Sequence, residues 1–285
     1  MNIFREIPPT AGFPIWFKDF FSKRKPGTLE QDFQAYLKVP YAAITYSGTA
    51  ALYFILETIK KFSDKTTVIV PSFVCPLVPL AVVRAGLKVE VCDIQSGRFD
   101  YDQDELEKIC RDNKNILAVV TVHLAGIPVD LTSVGAITKK YGVFLVEDCA
   151  QALGAEYKGQ RVGTFGDFGF FSLCRGKGLT IYEGGVAVCQ PNYILALKET
   201  ISVLEKRDFF SEALKIIELF GYAIFYRPLL FWFVFTLPQI FWQNRQDSAR
   251  AMGEYATQDF PTHQVSGFRK SLGHAFFYHL NEEIV

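Results

Sequence analysis

The chain has 285 residues, of which 49% are hydrophobic and 15% aromatic, with Phe in marked excess at 27, so it can bury one large core or two modest ones. Its 30 Lys plus Arg balance 30 Asp plus Glu, and the zero net charge lacks the basic excess or stripe of a nucleic-acid binder. The six cysteines (Cys75, Cys92, Cys110, Cys149, Cys174, Cys189) form no CxxC pair and lie mostly in apolar runs, as buried thiols of a reducing, cytoplasmic compartment do. The four histidines show no HExxH spacing, so no dedicated metal site is expected. Met1 to Pro9 has no continuous apolar stretch of the secretory kind.

In chain order, short β-branched runs alternate with helix-like stretches. Strands are predicted at Ala42–Tyr46, Thr66–Val70, Lys88–Cys92, Ile116–Val122, Val143–Glu147, Phe168–Leu173 and Val186–Cys189, and helices at Thr49–Phe62, Leu77–Ala85, Asp102–Cys110 and Leu131–Tyr141. Crossover helices between the first five strands imply a mainly parallel α/β sheet with helices on both faces. The last two strands are joined by a Gly-rich connection with no room for a full helix, so the sheet is mixed there. Beyond Gln190 the strand signal gives way to aromatic-rich helical sequence. Within it, Leu219–Trp242 is strongly apolar, but Arg227, Pro228 and Pro238 interrupt the roughly 20 apolar residues that a spanning helix needs. A buried helix pair with a Pro-marked joint is the expectation. The alternative is a peripheral membrane contact, joined by the amphipathic Ile15–Phe21 stretch and the basic Lys23-Arg24-Lys25 after it.

Ligands of such sheets collect at the carboxyl ends of the strands, and four strand ends carry polar residues of interest. Ser47-Gly48-Thr49-Ala50 opens a helix after the first strand, suited to a phosphate or to a plain N-cap. Glu147-Asp148 ends the fifth strand, where a carboxylate can hold a metal, orient a base, pair with a protonated ring nitrogen, or simply sit in a loop. A nucleotide-hydrolase reading fails because no GxxxxGK[ST] loop is present; Arg175-Gly176-Lys177-Gly178 has the wrong spacing. Gly163, Gly166 and Gly169 repeat every third residue but neither follow a clear strand nor open a helix, so they read as tight turns rather than a dinucleotide fingerprint. Lys177 lies between two glycines; a lone lysine is usually surface decoration. Together, a phosphate cradle, a carboxylate for a ring nitrogen and a lysine for an aldehyde are the parts that bind pyridoxal 5'-phosphate (PLP).

With these residues in order, the chain resembles the DegT/DnrJ/StrS-type sugar aminotransferases, fold-type-I PLP enzymes of the aspartate-aminotransferase fold, from about Leu29 to Gln190. The resemblance implies a phosphate-binding turn at Gly48, Thr49 and the Ala50 amide, with Ser172 as a further phosphate contact five residues before the Schiff-base lysine, Lys177. It implies that Asp148 pairs with the pyridine nitrogen and that Gln151 lies near the ring hydroxyl, within Val146-Glu147-Asp148-Cys149-Ala150-Gln151. Val70-Pro71-Ser72-Phe73, followed by Cys75-Pro76, is similar to the family's second strand-end motif. His123-Leu124-Ala125-Gly126-Ile127-Pro128-Val129-Asp130 is similar to its His-x-x-Gly-x-x-x-Asp segment beside the cofactor.

Three departures stand out. Cys75 replaces the aromatic that commonly stacks on the pyridine ring. Gly267 of Ser266-Gly267-Phe268-Arg269 falls where the family places an Asn that reaches the partner subunit's phosphate. The family continues into a closing small domain, so residues 1–245 are read as the PLP-binding large domain, with an aromatic-rich helical segment at 209–243, and 246–285 as the start of an incomplete C-terminal small domain. The implied activity moves an amino group from an amino acid, glutamate by family habit, to a keto-sugar acceptor, typically nucleotide-linked, in a homodimer. A PLP sugar dehydratase and a cofactor-binding member without turnover are the rivals. Family members that dehydrate carry His at the position of Lys177, which favours transamination.

Overall fold

The structure, a computed structural model, describes residues 15–21, 26–206, 208–245 and 259–282; side chains at 18 and 278–282 are outside the description, as are Lys23, Arg24 and Lys25. Seven strands form one sheet: β1 (Ala42–Thr45), β2 (Thr67–Pro71), β3 (Lys88–Cys92), β4 (Ile116–Val122), β5 (Phe144–Asp148), β8 (Phe168–Ser172) and β9 (Gly185–Cys189), in the order β1-β9-β8-β5-β4-β2-β3. The short strands β6 (Glu156–Tyr157) and β7 (Gln160–Arg161) make a separate hairpin. β9 runs antiparallel to both its neighbours, and the pairs from β8 through to β3 are parallel, the mixed sheet that the short β8–β9 connection requires.

Helix α1 (Leu29–Leu37) precedes β1, and the connections between strands are α2 (Gly48–Ile59), α3 (Leu77–Arg84), α4 (Gln103–Asp112) and α5 (Leu131–Tyr141). Their starts are written in the sequence. Asp102 accepts from the amides of Asp104 and Glu105, and Asp130 from those of Thr132 and Ser133, while α5 stops at the left-handed Gly142. Alternation along the strands splits the core between the two faces of the sheet. Val146, Phe168, Phe170, Ala187 and Cys189 pack with α2, α3 and α6 (Ile194–Leu204). Phe171, Val186 and Val188 pack on the other face with α1, α7 (Phe209–Phe225) and α9 (Gly267–Glu282). Leu145 joins α4 and α5 on that same side.

Gly163 and Gly166 make the tight turn that leads into β8 and Gly169 lies in that strand; a Cβ at Gly166 would fall 2.6 Å from the Leu145 carbonyl oxygen. A Cβ at Gly169 would fall 2.4 Å from the carbonyl oxygen of Gly163.

Two regions follow the sheet in the chain. Residues 267–282 pack on α1 through Phe276, Phe277 and Leu272, within the same core as the large domain. The stretch 219–242 is helical with a break at Pro228, but it is buried only at Leu219, Tyr222, Ala223 and Phe231. After α7 come a π-helical turn (Trp232–Thr236) and α8 (Leu237–Asn244), which bury no residue between them. Leu229, Phe233, Phe235, Ile240 and Phe241 are exposed. The apolar composition reported what the segment prefers, not what covers it.

Candidate active site

Three strand ends and one helix start converge at the carboxyl edge of the sheet. After β1, Ser47 caps α2, its hydroxyl accepting from the Ala50 amide at 3.0 Å. This uses the amide expected to contact phosphate, while the first amides of α2, at Gly48 and Thr49, have no partner within the helix. Gly48 touches β8: a Cβ built on it would lie 3.3 Å from the Ser172 Cβ. Ser172, half-buried, accepts from the Cys174 amide at 3.3 Å. Gly185, opposite Ser172 in the sheet, admits this approach, since a Cβ there would fall 2.3 Å from the Ser47 carbonyl oxygen. The two predicted halves of a phosphate cradle therefore meet.

β5 ends in two carboxylates whose side chains point to opposite faces, because successive strand residues alternate. Glu147 accepts four hydrogen bonds: from the amides of Gly163 (2.8 Å), Phe165 (2.7 Å) and Gly166 (2.7 Å), and from His123 Nε2 at 3.1 Å. Asp148 is buried, and its Oδ1 accepts only from the Ala150 amide at 2.9 Å. Its Oδ2 makes no hydrogen bond to a described residue. Burial pushes its pKa up to about 6, against the lowering effects of the Ala150 amide, His123 and Lys177. Lys177 is near enough for its charge to act on Asp148, as the smallest of these effects. Lys177 is half-buried in the turn after β8, and its Nζ makes no hydrogen bond or ion pair with a described residue.

The other sequence-predicted residues are arranged less directly. His123 is fully enclosed: Nδ1 accepts from the Val129 amide at 3.3 Å, so the neutral ring carries its proton on Nε2 and donates it to Glu147. Neither ring nitrogen is left to offer a ligand. Gln151 is exposed, with its side-chain oxygen accepting from the Ala125 amide at 3.1 Å. Cys75 is exposed in the connection between β2 and α3. The side chains of His123, Glu147 and Cys149 bring possible metal-ligand atoms within 4.8 Å of one another. They form a hydrogen-bonded hub, because Glu147 is satisfied by four donors and burial holds the Cys149 thiol protonated, its pKa well above the usual value.

A further charged pair escaped the sequence reading. Arg269 is fully buried and donates to Glu212 through Nε (3.0 Å) and Nη2, and through Nη1 to the carbonyl oxygens of Ile181 (3.4 Å) and Glu183. It ties α7 and α9 to the turn that follows Lys177. Ser266 adds its amide to Glu212 at 2.8 Å, so the segment around Gly267 is anchored to its own chain. The residues are 57 apart in sequence, and nothing local marks them as a pair.

The profile of the DegT/DnrJ/EryC1/StrS aminotransferase family matches residues 20–209. The chain belongs to this family. The GDP-perosamine synthase of Vibrio cholerae is 31% identical over 166 residues, covering 58% of this chain and 44% of that protein. The L-glutamine:2-deoxy-scyllo-inosose aminotransferase of Streptomyces kanamyceticus is 35% identical over 156 residues, covering 55% of this chain and 36% of its own. Helicobacter pylori PseC, an aminotransferase involved in the biosynthesis of pseudoaminic acid, superposes with a TM-score of 0.61 at 26% identity, covering 72% of this chain and 58% of PseC. The chain spans about half the length of the curated relatives it matches.

Aminotransferases of the DegT/DnrJ/EryC1/StrS family are PLP-dependent, and this chain's residues fit that cofactor. Contact between Gly48 and Ser172 forms one cradle from a helix start and a strand end, suited to a phosphate. Among the described residues, Asp148 Oδ2 and the Lys177 amine have no hydrogen-bond partner, which leaves them available to a ring nitrogen and an aldehyde.

Proposed function

We propose that this chain is the cofactor-binding part of an aminotransferase that moves an amino group from an amino acid, glutamate in this reading, to a keto-sugar. The observation that carries the reading is a Lys177 with no hydrogen bond or ion pair to a described residue, near enough to act electrostatically on a buried Asp148 that accepts one described hydrogen bond at the carboxyl edge of the sheet. The GDP in one relative's name supports a nucleotide-linked acceptor, in surface polysaccharide or secondary-metabolite synthesis. The inosose aminotransferase supports a cyclic ketone as the second choice. A homodimer in the cytoplasm, at the membrane where surface polysaccharide is assembled, completes the reading.

PLP, when bound, supplies the electron sink that lets the donor's Cα give up a proton. Gly48, Thr49 and Ser172 would hold its phosphate, with Ala50 joining if the Ser47 hydroxyl turns aside. Asp148, as a carboxylate, would keep a proton on the pyridine nitrogen through Oδ2. Gln151 would stand near the ring hydroxyl. Lys177 would hold the cofactor covalently, and its amine, when free, would serve the donor's Cα proton as general base and then general acid. His123 acts through Glu147, setting the floor on which β5 and the Gly163–Gly166 turn rest.

Absorbance spectroscopy followed by borohydride reduction and peptide mass mapping tests this. The expected result is a visible cofactor band, label on Lys177, and loss of the band with glutamate alone. Lys177→Ala should lose the label and at least about a thousandfold in turnover. A labelled Lys177 whose band no amino acid alters would overturn transamination in favour of dehydration or binding without turnover.

A further inference from the structure

An apolar surface is built from two chain segments far apart in sequence. In the first, the short helix Phe17–Phe21 exposes Trp16, Phe17 and Phe21, the last of them 72% exposed. In the second, α7 exposes Phe210, Leu214, Ile217 and Ile224, a helical stripe at spacings of four, three and seven, and the stretch after Pro228 exposes Leu229, Phe233, Val234 and Phe241. The two are joined by the stacked rings of Phe20 and Phe220, 4.1 Å apart, and by Arg227, whose guanidinium lies 4.1 Å over the Trp16 ring. Together they exceed the scattered apolar residues of an ordinary surface.

Charge selects the occupant. From Leu219 to Asn244 the sole charged side chain is Arg227, and Arg245 follows, stacked 4.3 Å over Phe241. The acidic side chains of this face are engaged within the chain, Asp19 by the Trp16 amide, Glu212 by Arg269 and Glu218 by Lys215, and none lies between Leu219 and Arg245, so a second copy pressed on this face would bring the two arginines no uncommitted carboxylate. Anionic headgroups supply the missing charge, and Trp beside Arg at the edge of an apolar face is the composition of a membrane–water boundary. Among the described residues no helix is long and apolar enough to cross a membrane, and Pro228 and Pro238 divide the stretch. We infer that this face docks the protein on an anionic lipid bilayer, with the helix–proline–helix stretch 209–244 lying in the headgroup boundary rather than spanning it.

The three tryptophans of the chain, Trp16, Trp232 and Trp242, all belong to these segments, so tryptophan fluorescence, excited selectively over tyrosine, reports them. The full-length protein is mixed with phosphatidylcholine vesicles, with or without phosphatidylglycerol, and followed by flotation and emission wavelength. The expected result is flotation with a blue shift, stronger on the anionic vesicles. The double variant Leu229→Glu/Phe241→Glu should weaken partitioning at least about tenfold with an unchanged melting temperature. Ile217→Glu on α7 is the second variant, should the first fail to fold. Absence of flotation on either vesicle overturns the inference, as does a soluble dimer that these substitutions dissociate; equal binding to both vesicles overturns its electrostatic half.

Discussion

The two faces of β5 at its carboxyl end carry the same chemical group in opposite circumstances. On the face toward α4 and α5, Glu147 is fully buried and accepts four hydrogen bonds, three of them from backbone amides of the Gly163–Gly166 segment. On the face toward α2, Asp148 is also buried, accepts one, and is pushed up to about pKa 6. A buried carboxylate is costly unless its charge is met by donors. Glu147 meets that requirement inside the protein and organises the fold. Asp148 does not, and its unmet demand is what a protonated ring nitrogen would satisfy.

If Glu147 is the structural member of the pair, its removal should damage stability most. Glu147→Ala strands three inward-facing backbone amides and the His123 Nε2–H, and we expect a loss of about 3 kcal/mol or more in urea unfolding. Glu147→Gln, which keeps the acceptor oxygen but not the charge, should cost less. A Glu147→Ala protein as stable as wild type would erase the distinction between the two faces.

The division was half legible in the sequence. Strand alternation alone puts Glu147 and Asp148 on opposite faces, and β3, β4 and α5 begin and end where their patterns and caps predict. Which carboxylate would be satisfied was not legible, because the donors come from a turn 16 to 19 residues away whose path depends on Gly163 and Gly169 passing within contact. The β6–β7 hairpin gave no signal because its strands are two residues each. The 219–242 stretch misled for a different reason: hydropathy cannot say whether the apolar partner of a helix lies in the same chain.

Asp148 sharpens the comparison from the opposite direction. Its folded pKa is raised, so between about pH 4 and about pH 6 the folded protein holds a proton that the unfolded chain has released. The contribution of this group to stability in the cofactor-free protein therefore falls as pH rises through that window and is flat above it, a cost of about 3 kcal/mol at neutral pH. Asp148→Asn should make the cofactor-free protein more stable at pH 7.5, by up to that amount, with the gain vanishing near pH 4. The same substitution should weaken PLP retention, measured by equilibrium dialysis. A group that destabilises the empty fold and stabilises the loaded one is a binding residue; if both effects run in the same direction, Asp148 is structural like its neighbour.

The smallest effect concerns the side of the ring that Asp148 does not reach. Cys75 is exposed after β2, two strands from β5 in the sheet, where the family commonly offers an aromatic face. A thiol supplies little of the contact that a stacked ring does, and an offset aromatic pair is worth about 1 kcal/mol beyond its burial. Cys75→Phe should therefore tighten PLP binding by about fivefold while leaving melting of the cofactor-free protein unchanged, since the exposed residue adds nothing to the core. Unchanged affinity would mean that Cys75 faces away from the ring. The Asp148 face would then hold its ligand through the phosphate cradle, the carboxylate and the lysine alone.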